Sequence, residues 1–353
     1  MHRFIESVTM EYKALWLVTD LNEMRCHGLE EIIIVGAGPC GLSAALELQK
    51  LGYAPLIIEK YSIAHSIYLY PTYMHFFSTP DLLEIGGIPF TTPNEKPSRL
   101  EALHYYRNAA LRSKVRIQSY HTVQSITKTD NGSFELQLSD RFNNISMIKA
   151  RYVIVATGYF DHPNMLGIPG EESAKVSHYF HEAHPYSGTK VAVIGGSNSA
   201  IDAAMDLMRA GADVTIVYRG EGFSSSIKPW VLPVFESMIK KGRIKMLFGS
   251  QIIQIHDQSI LVRTGDNEQL LDNDFVLALT GFRPDRGLLA SAGVQMDETS
   301  TAPIHNPETM ETPIPGLFIA GVAASGSDAN EVFIESGRLH GGMIARRIAE
   351  SNL

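Results

Sequence analysis

The chain is poor in cysteine, with two in 353 residues, Cys26 and Cys40. So few cannot staple a disulfide scaffold, and they suit a reducing cytosol. No C-x-x-C pair occurs, which excludes a redox dithiol. Cationic surplus is missing too. The 30 lysines and arginines stand against 38 acids, for a net charge of −8. That removes the electrostatic footprint of a nucleic-acid partner. No apolar run approaches the roughly 20 residues that span a bilayer, so no membrane partner is expected. What remains, 44% hydrophobic and 19% charged, is ordinary globular composition with core enough for about two domains.

Residues 1–28 carry one short apolar patch, ALWLV, and several acids. They lack the longer apolar region of a secretory signal. We read them as a dispensable extension, with Met24 just before the first strand, and Cys26 as non-catalytic.

Beyond it lies EIIIVGAGPCGLSAALELQKLGYAPLIIEK. The apolar run Glu31–Val35 reads as a buried parallel strand. A glycine loop follows, then helical spacing over Leu42–Leu51 closed by Gly52. A second strand over Ala54–Ile58 ends at Glu59. Gly36 permits the tight turn, Gly38 lets the backbone approach a pyrophosphate, and Gly41 lets helix and strand pack closely. Glu59, about 20 residues on, is placed to accept hydrogen bonds from a ribose diol.

The pattern recurs. Lys190–Ile194 reads as a strand, GGSNSA (Gly195–Ala200) as the loop, Ile201–Met208 as the helix, and Val214–Tyr218 as the next strand. Gly195, Gly196 and Ala200 fit, but Ser197 stands at the second key glycine. Arg219 replaces the expected acid. An acid there repels a 2′-phosphate, whereas arginine pairs with one bidentately, so this site should prefer NADPH to NADH. Two nucleotide sites in one chain suggest a flavin with a nicotinamide donor.

RYVIVATG (Arg151–Gly158) and DFVLALTG (Asp274–Gly281) are strands ending in Thr-Gly, natural crossings between domains. A helical C-terminus is expected from about Ala329 to Ser351. The fold class is therefore α/β with two Rossmann-like dinucleotide-binding domains. The first is discontinuous, over 29–158 and 284–353, with the second, 159–283, inserted.

GAGPCG with Glu59, Ala156–Gly158, GGSNSA and Gly316–Gly321 together resemble flavoprotein reductases of the glutathione- and thioredoxin-reductase type. The loop cysteine, SIYLYPTYMHFFSTPDLLEIGGIPF (Ser66–Phe90), GGSNSAIDAA and ANEVFIESGRLHGG (Ala329–Gly342) more narrowly resemble the bacillithiol-disulfide reductase family of the YpdA type. That resemblance implies FAD, NADPH and a small-molecule disulfide substrate in a Gram-positive cytoplasm, and leaves room for a homo-oligomer. It carries over Gly36, Gly38, Gly41 and Glu59 to the FAD loop, Gly195, Ser197, Ala200 and Arg219 to the NADPH site, and Gly321 to the late FAD motif. Candidate cofactor contacts extend to Pro39, Lys60, Val123, Thr157, Gly158, Asn198, Ser199 and Gly281. The late motif usually reads Gly-Asp in thioredoxin reductases. Here it reads Gly321–Val322, so the acid's contact is missing or supplied elsewhere.

Cys40 is the candidate catalytic thiol. A helix's first turn lowers a thiol's pKa, although a bound pyrophosphate offsets that field, and Cys also packs well as a small hydrophobe. In the functional reading it attacks the disulfide by thiol exchange. In the other it is a filler and the flavin reduces the disulfide directly. His178, His181 and His184 lack a cysteine companion, so no metal is expected and the segment reads as linker lining a cleft. The aromatic run Tyr68–Phe77 divides between core and a wall over the flavin or substrate. His340 either faces the flavin or caps a polar network. Two other activities use this scaffold, a flavin-dependent monooxygenase and a ferredoxin- or flavin-type NADPH oxidoreductase.

Overall fold

The computed structural model describes residues 28–326 and 332–351. The N-terminal extension up to His27, with Met24 and Cys26, and the expected helix start at Ala329 lie outside the described residues.

The first sheet collects β1 (Leu29–Val35), β2 (Leu56–Glu59), β3 (Arg116–Ser119), β4 (His121–Lys128), β5 (Phe134–Asp140) and β6 (Ile145–Val155) in the order β3-β2-β1-β6-β5-β4. Ile32 to Val35 are all buried, each stabilising the fold by about 2 kcal/mol. β6 changes character along its length. ISMIKAR alternates and pairs antiparallel with β5, while the apolar end YVIV is wholly buried among parallel neighbours. One-sided burial gives alternation and two-sided burial gives an apolar run.

The second sheet holds β7 (Val176–Ser177), β8 (Lys190–Ile194), β9 (Asp213–Val217), β10 (Ile244–Leu247) and β14 (Phe275–Ala278), all parallel, in the order β10-β9-β8-β14-β7. An antiparallel meander of β11 (Ser250–Ile255), β12 (Ser259–Thr264) and β13 (Asn267–Asp272) lies between β10 and β14 in sequence. β15 (Leu317–Ile319) returns to the first sheet and pairs with the end of β6. The expected α/β class with two parallel-sheet cores is therefore what the chain adopts.

The main helices are α1 (Pro39–Lys50), α2 (Arg99–Arg112), α3 (Asn198–Arg209), α4 (Leu232–Lys240) and α5 (His340–Glu350). α1 and α3 begin about a turn before the apolar spacing does, because their first turns hold small and polar residues. The C-terminal helix is not continuous. A turn over Ile334–Gly337 precedes α5, and the Ser43 hydroxyl donates to the Arg338 carbonyl at 2.6 Å. Gly341 lets α5 cross α1 closely, since a Cβ there would stand 2.7 Å from the Ala44 backbone.

Candidate active site

The two glycine loops are built alike. Gly36 has φ +109° and Gly195 has φ +138°, a region that favours glycine. A Cβ on Gly36 would sit 2.5 Å from the Ala156 carbonyl oxygen, just past β6. One on Gly195 would sit 2.5 Å from that of Leu279, just past β14. Each loop is thus pressed against the strand beside it. Gly41 packs likewise against the Gly36 carbonyl, and Ala200 against Gly195.

Gly38 differs. A Cβ there would meet nothing within 4 Å. It is the N-cap of α1, and no side chain caps that helix; Ser197 likewise leaves α3 uncapped by a side chain. Helix starts of this kind present free N–H groups and a positive dipole end, the condition for holding phosphate. The Glu59 carboxylate accepts the Ala37 N–H at 2.6 Å and the Tyr61 N–H at 2.8 Å. Each oxygen keeps a second acceptor position for a ribose hydroxyl. Burial pushes its carboxyl above the usual value, against the pull of those two donors.

Both loops face one cleft of about 2650 Å³, well above the usual 300–1,000 Å³ of a single-ligand pocket. It brings together Gly36, Gly38, Pro39, Cys40, Glu59, Lys60, Val123, Thr157, Gly158, Gly195, Ser197, Asn198, Ser199, Arg219, Gly281 and Gly321. Gly41 and Ala200 are not in the lining; they pack behind it. The residues therefore fit FAD at the first loop and a second dinucleotide at the other.

Three expectations are sharpened. Asn198 lines the cleft, but its amide is already engaged, with Nδ2 donating to the Ser226 carbonyl at 2.8 Å and Oδ1 accepting the Lys228 N–H at 3.0 Å. The run Tyr68–Phe77 is more wall than core. Phe76 is buried, Tyr68, Tyr73 and Phe77 are exposed, and Tyr70 through Phe77, except Thr72, line the cleft. His340 Nδ1 accepts the Gly321 N–H at 3.2 Å, which leaves the ring proton on Nε2. Burial, then His305, holds this histidine below its usual value.

Cys40, in the first turn of α1, is the one free cysteine among the described residues. Its Sγ nests between two glycines, 2.7 Å from where a Cβ on Gly321 would lie and 2.9 Å from one on Gly337. Burial pushes the thiol up to about 12, so the protein fold does not produce the lowered pKa expected at a helix start. Burial also raises Tyr70, followed by the nearby Tyr159 and Cys40.

Sequence reading missed the partners these residues meet. Lys60 pairs with Asp161 at 3.2 Å. Phe160 and Phe282 meet with ring centroids 4.2 Å apart and planes tilted by 31° where the chain leaves β6 and β14. His178, His181 and His184 line the cleft as expected, with His178 Nε2 lying 3.3 Å from Glu171.

A fold with two dinucleotide loops opening on one cleft is that of a flavoprotein oxidoreductase served by a pyridine nucleotide. The chain belongs to the pyridine nucleotide-disulphide oxidoreductase family, which it matches over residues 33–321. It is an FAD- and NADPH-dependent disulfide oxidoreductase. It is 48% identical to the bacilliredoxin reductase Bdr of Bacillus subtilis, over 91% of this chain and 98% of that one. Among solved structures, it resembles the bacillithiol disulfide reductase Bdr (YpdA) of Bacillus cereus, with 46% identity and a TM-score of 0.89 over 92% of this chain and 100% of that one. The Staphylococcus aureus Bdr (YpdA) structure gives 42% identity and a TM-score of 0.87 over 92% and 99%. The resemblance expected from the loop cysteine and Ser66–Phe90 is borne out.

Proposed function

We propose that the protein reduces bacillithiol disulfide in the cytoplasm. The observation that supports this most is the shared cleft, which puts both dinucleotide loops and the only described cysteine on one wall system, in a chain similar to a Bdr protein over 91% of its length. On this reading 29–158 and 284–353 form the FAD-binding part and 159–283 the inserted NADPH-binding part. When bound, the cofactors supply the electrons, as a hydride from the nicotinamide to the flavin. Gly36, Gly38 and Glu59 hold the flavin dinucleotide, with Gly41 packed behind their loop. Gly195, Ser197 and Arg219 hold NADPH, with Ala200 packed behind their loop.

Cys40 is the thiol available for exchange with the disulfide. It attacks one sulfur, a Cys40–substrate disulfide forms, and the other substrate thiol leaves. The two electrons that free the bound half come from NADPH. Because burial lifts the thiol to about 12, it must lose its proton as it meets the disulfide, and the thiolate share rises tenfold per pH unit below that value. The test is anaerobic NADPH oxidation across a panel of small-thiol disulfides. Bacillithiol disulfide should be reduced best, with a rate rising steadily from pH 6 to pH 9. Cys40→Ala should keep flavin reduction by NADPH and lose disulfide turnover. Full turnover by that variant would remove the exchange step, and oxygen-dependent oxidation alone would point to a monooxygenase.

A further inference from the structure

The charged lining of the cleft bears on which disulfides it admits, an inference that rests on the reductase reading. Lys60, Lys96, Arg209, Arg219 and Lys228 are its lysine and arginine side chains. Three are neutralised. Lys60 pairs with Asp161 at 3.2 Å, Arg209 with Asp206 at 2.9 Å, and Lys228 with Asp202 at 2.8 Å. Among the described residues Arg219 and Lys96 have no carboxylate partner. Arg219 follows β9 on the second sheet, where it suits the 2′-phosphate.

Lys96 has no such assignment. It lies in the loop before α2, half-buried, with Nζ 5.7 Å from the centroid of the Trp230 ring. Trp230 is 65% exposed, and the cleft residue Phe77 is 57% exposed; the Phe76 N–H donates to the Pro97 carbonyl at 2.9 Å, which holds the Phe77 segment against the Lys96 loop. A cation drawn partly out of water is compensated weakly by a ring face and far better by an anion. Large exposed aromatics beside it offer an apolar surface for the rest of a ligand.

We propose that Lys96, set over Trp230, is a subsite for a carboxylate of the disulfide substrate, so that the enzyme selects acidic small-thiol disulfides over neutral ones. The phosphates of NADPH have their own donors at the start of α3 and at Arg219.

The experiment is calorimetric titration of the FAD-bound protein with bacillithiol disulfide, with its methyl-esterified form, and separately with NADPH. Wild type should bind the acid form roughly tenfold more tightly than the ester. Lys96→Met should abolish that preference while NADPH affinity holds, and Lys96→Arg should restore it. Retained flavin absorbance shows that each variant is folded. A wild type without preference, an unchanged acid-to-ester ratio in Lys96→Met, or a loss confined to NADPH would each overturn the subsite. Acid preference without any disulfide turnover would sink the reductase reading and leave the subsite standing. Turnover without preference would do the reverse.

Discussion

Arg219 lines the cleft, and among the described residues no carboxylate forms an ion pair with it. An unpaired guanidinium is what a 2′-phosphate needs, because it offers a fork of donors without a competing carboxylate. Arg219→Ala should raise the NADPH KM about tenfold and leave the NADH value within about twofold. Steady-state kinetics with both donors checks this, and equal shifts would remove the phosphate role. Cys40 shows how far one residue's chemistry depends on distant neighbours. A helix start alone would favour its thiolate, yet Gly321 and Gly337 close around the sulfur and burial reverses the sign.

At the scale of the element, the start of α2 is the most fully capped. The Ser98 hydroxyl accepts the Glu101 N–H at 3.3 Å, and the Glu101 carboxylate accepts the Ser98 N–H at 2.8 Å. The Thr92 hydroxyl and Asn94 amide donate to the same carboxylate. Those bonds, led by Thr92 and Ser98, hold the Glu101 carboxyl down at about 2. A folded pKa below the unfolded one gives stability that is present above the unfolded value and lost as pH falls through the folded one. Solvent screening leaves only part of that shift as stability, so Glu101→Gln should cost about 1 kcal/mol at neutral pH. The gap between wild type and variant should close between about pH 4.5 and pH 2 in chemical denaturation, and a gap constant with pH would refute the charge-based account. The same cap closes the loop that carries Lys96, so this local feature also shapes the cleft wall.

At the scale of the molecule, the two sheets are joined where the chain leaves β6 and β14. Phe160 and Phe282 meet there, Tyr179 lies 5.5 Å from Phe282, and Pro163 forms a β-bridge to Phe282. Aromatic pairs of this kind add about 1 kcal/mol beyond the area they bury. Phe282 touches Tyr159, Phe160 and Tyr179 in this cluster, so Phe282→Ala should uncouple the sheets. Scanning calorimetry should then resolve two transitions in place of one, as expected when an interface between units weakens. A single transition at lower temperature would place the coupling elsewhere. No helix among the described residues is long and apolar enough to cross a membrane.

The sequence by itself determined the α/β class, the two glycine loops, the strand Lys190–Ile194 to the residue, Glu59, and the arginine that replaces the second acid. These are local signals, since a buried strand needs an apolar run and a phosphate loop needs small residues at fixed spacing. Helix starts were legible only to about a turn, because the first turns of α1 and α3 lack apolar periodicity where they face the cleft. Only the tertiary structure decided that Asn198 holds a loop, that the aromatic run is mostly wall, that Lys96 meets Trp230 without an acid, and that the Cys40 thiol is enclosed by Gly321 and Gly337. Those outcomes depend on groups far apart in the chain. Desolvation and pairing act through space, and nothing in a residue's immediate neighbours records which distant group will be folded against it.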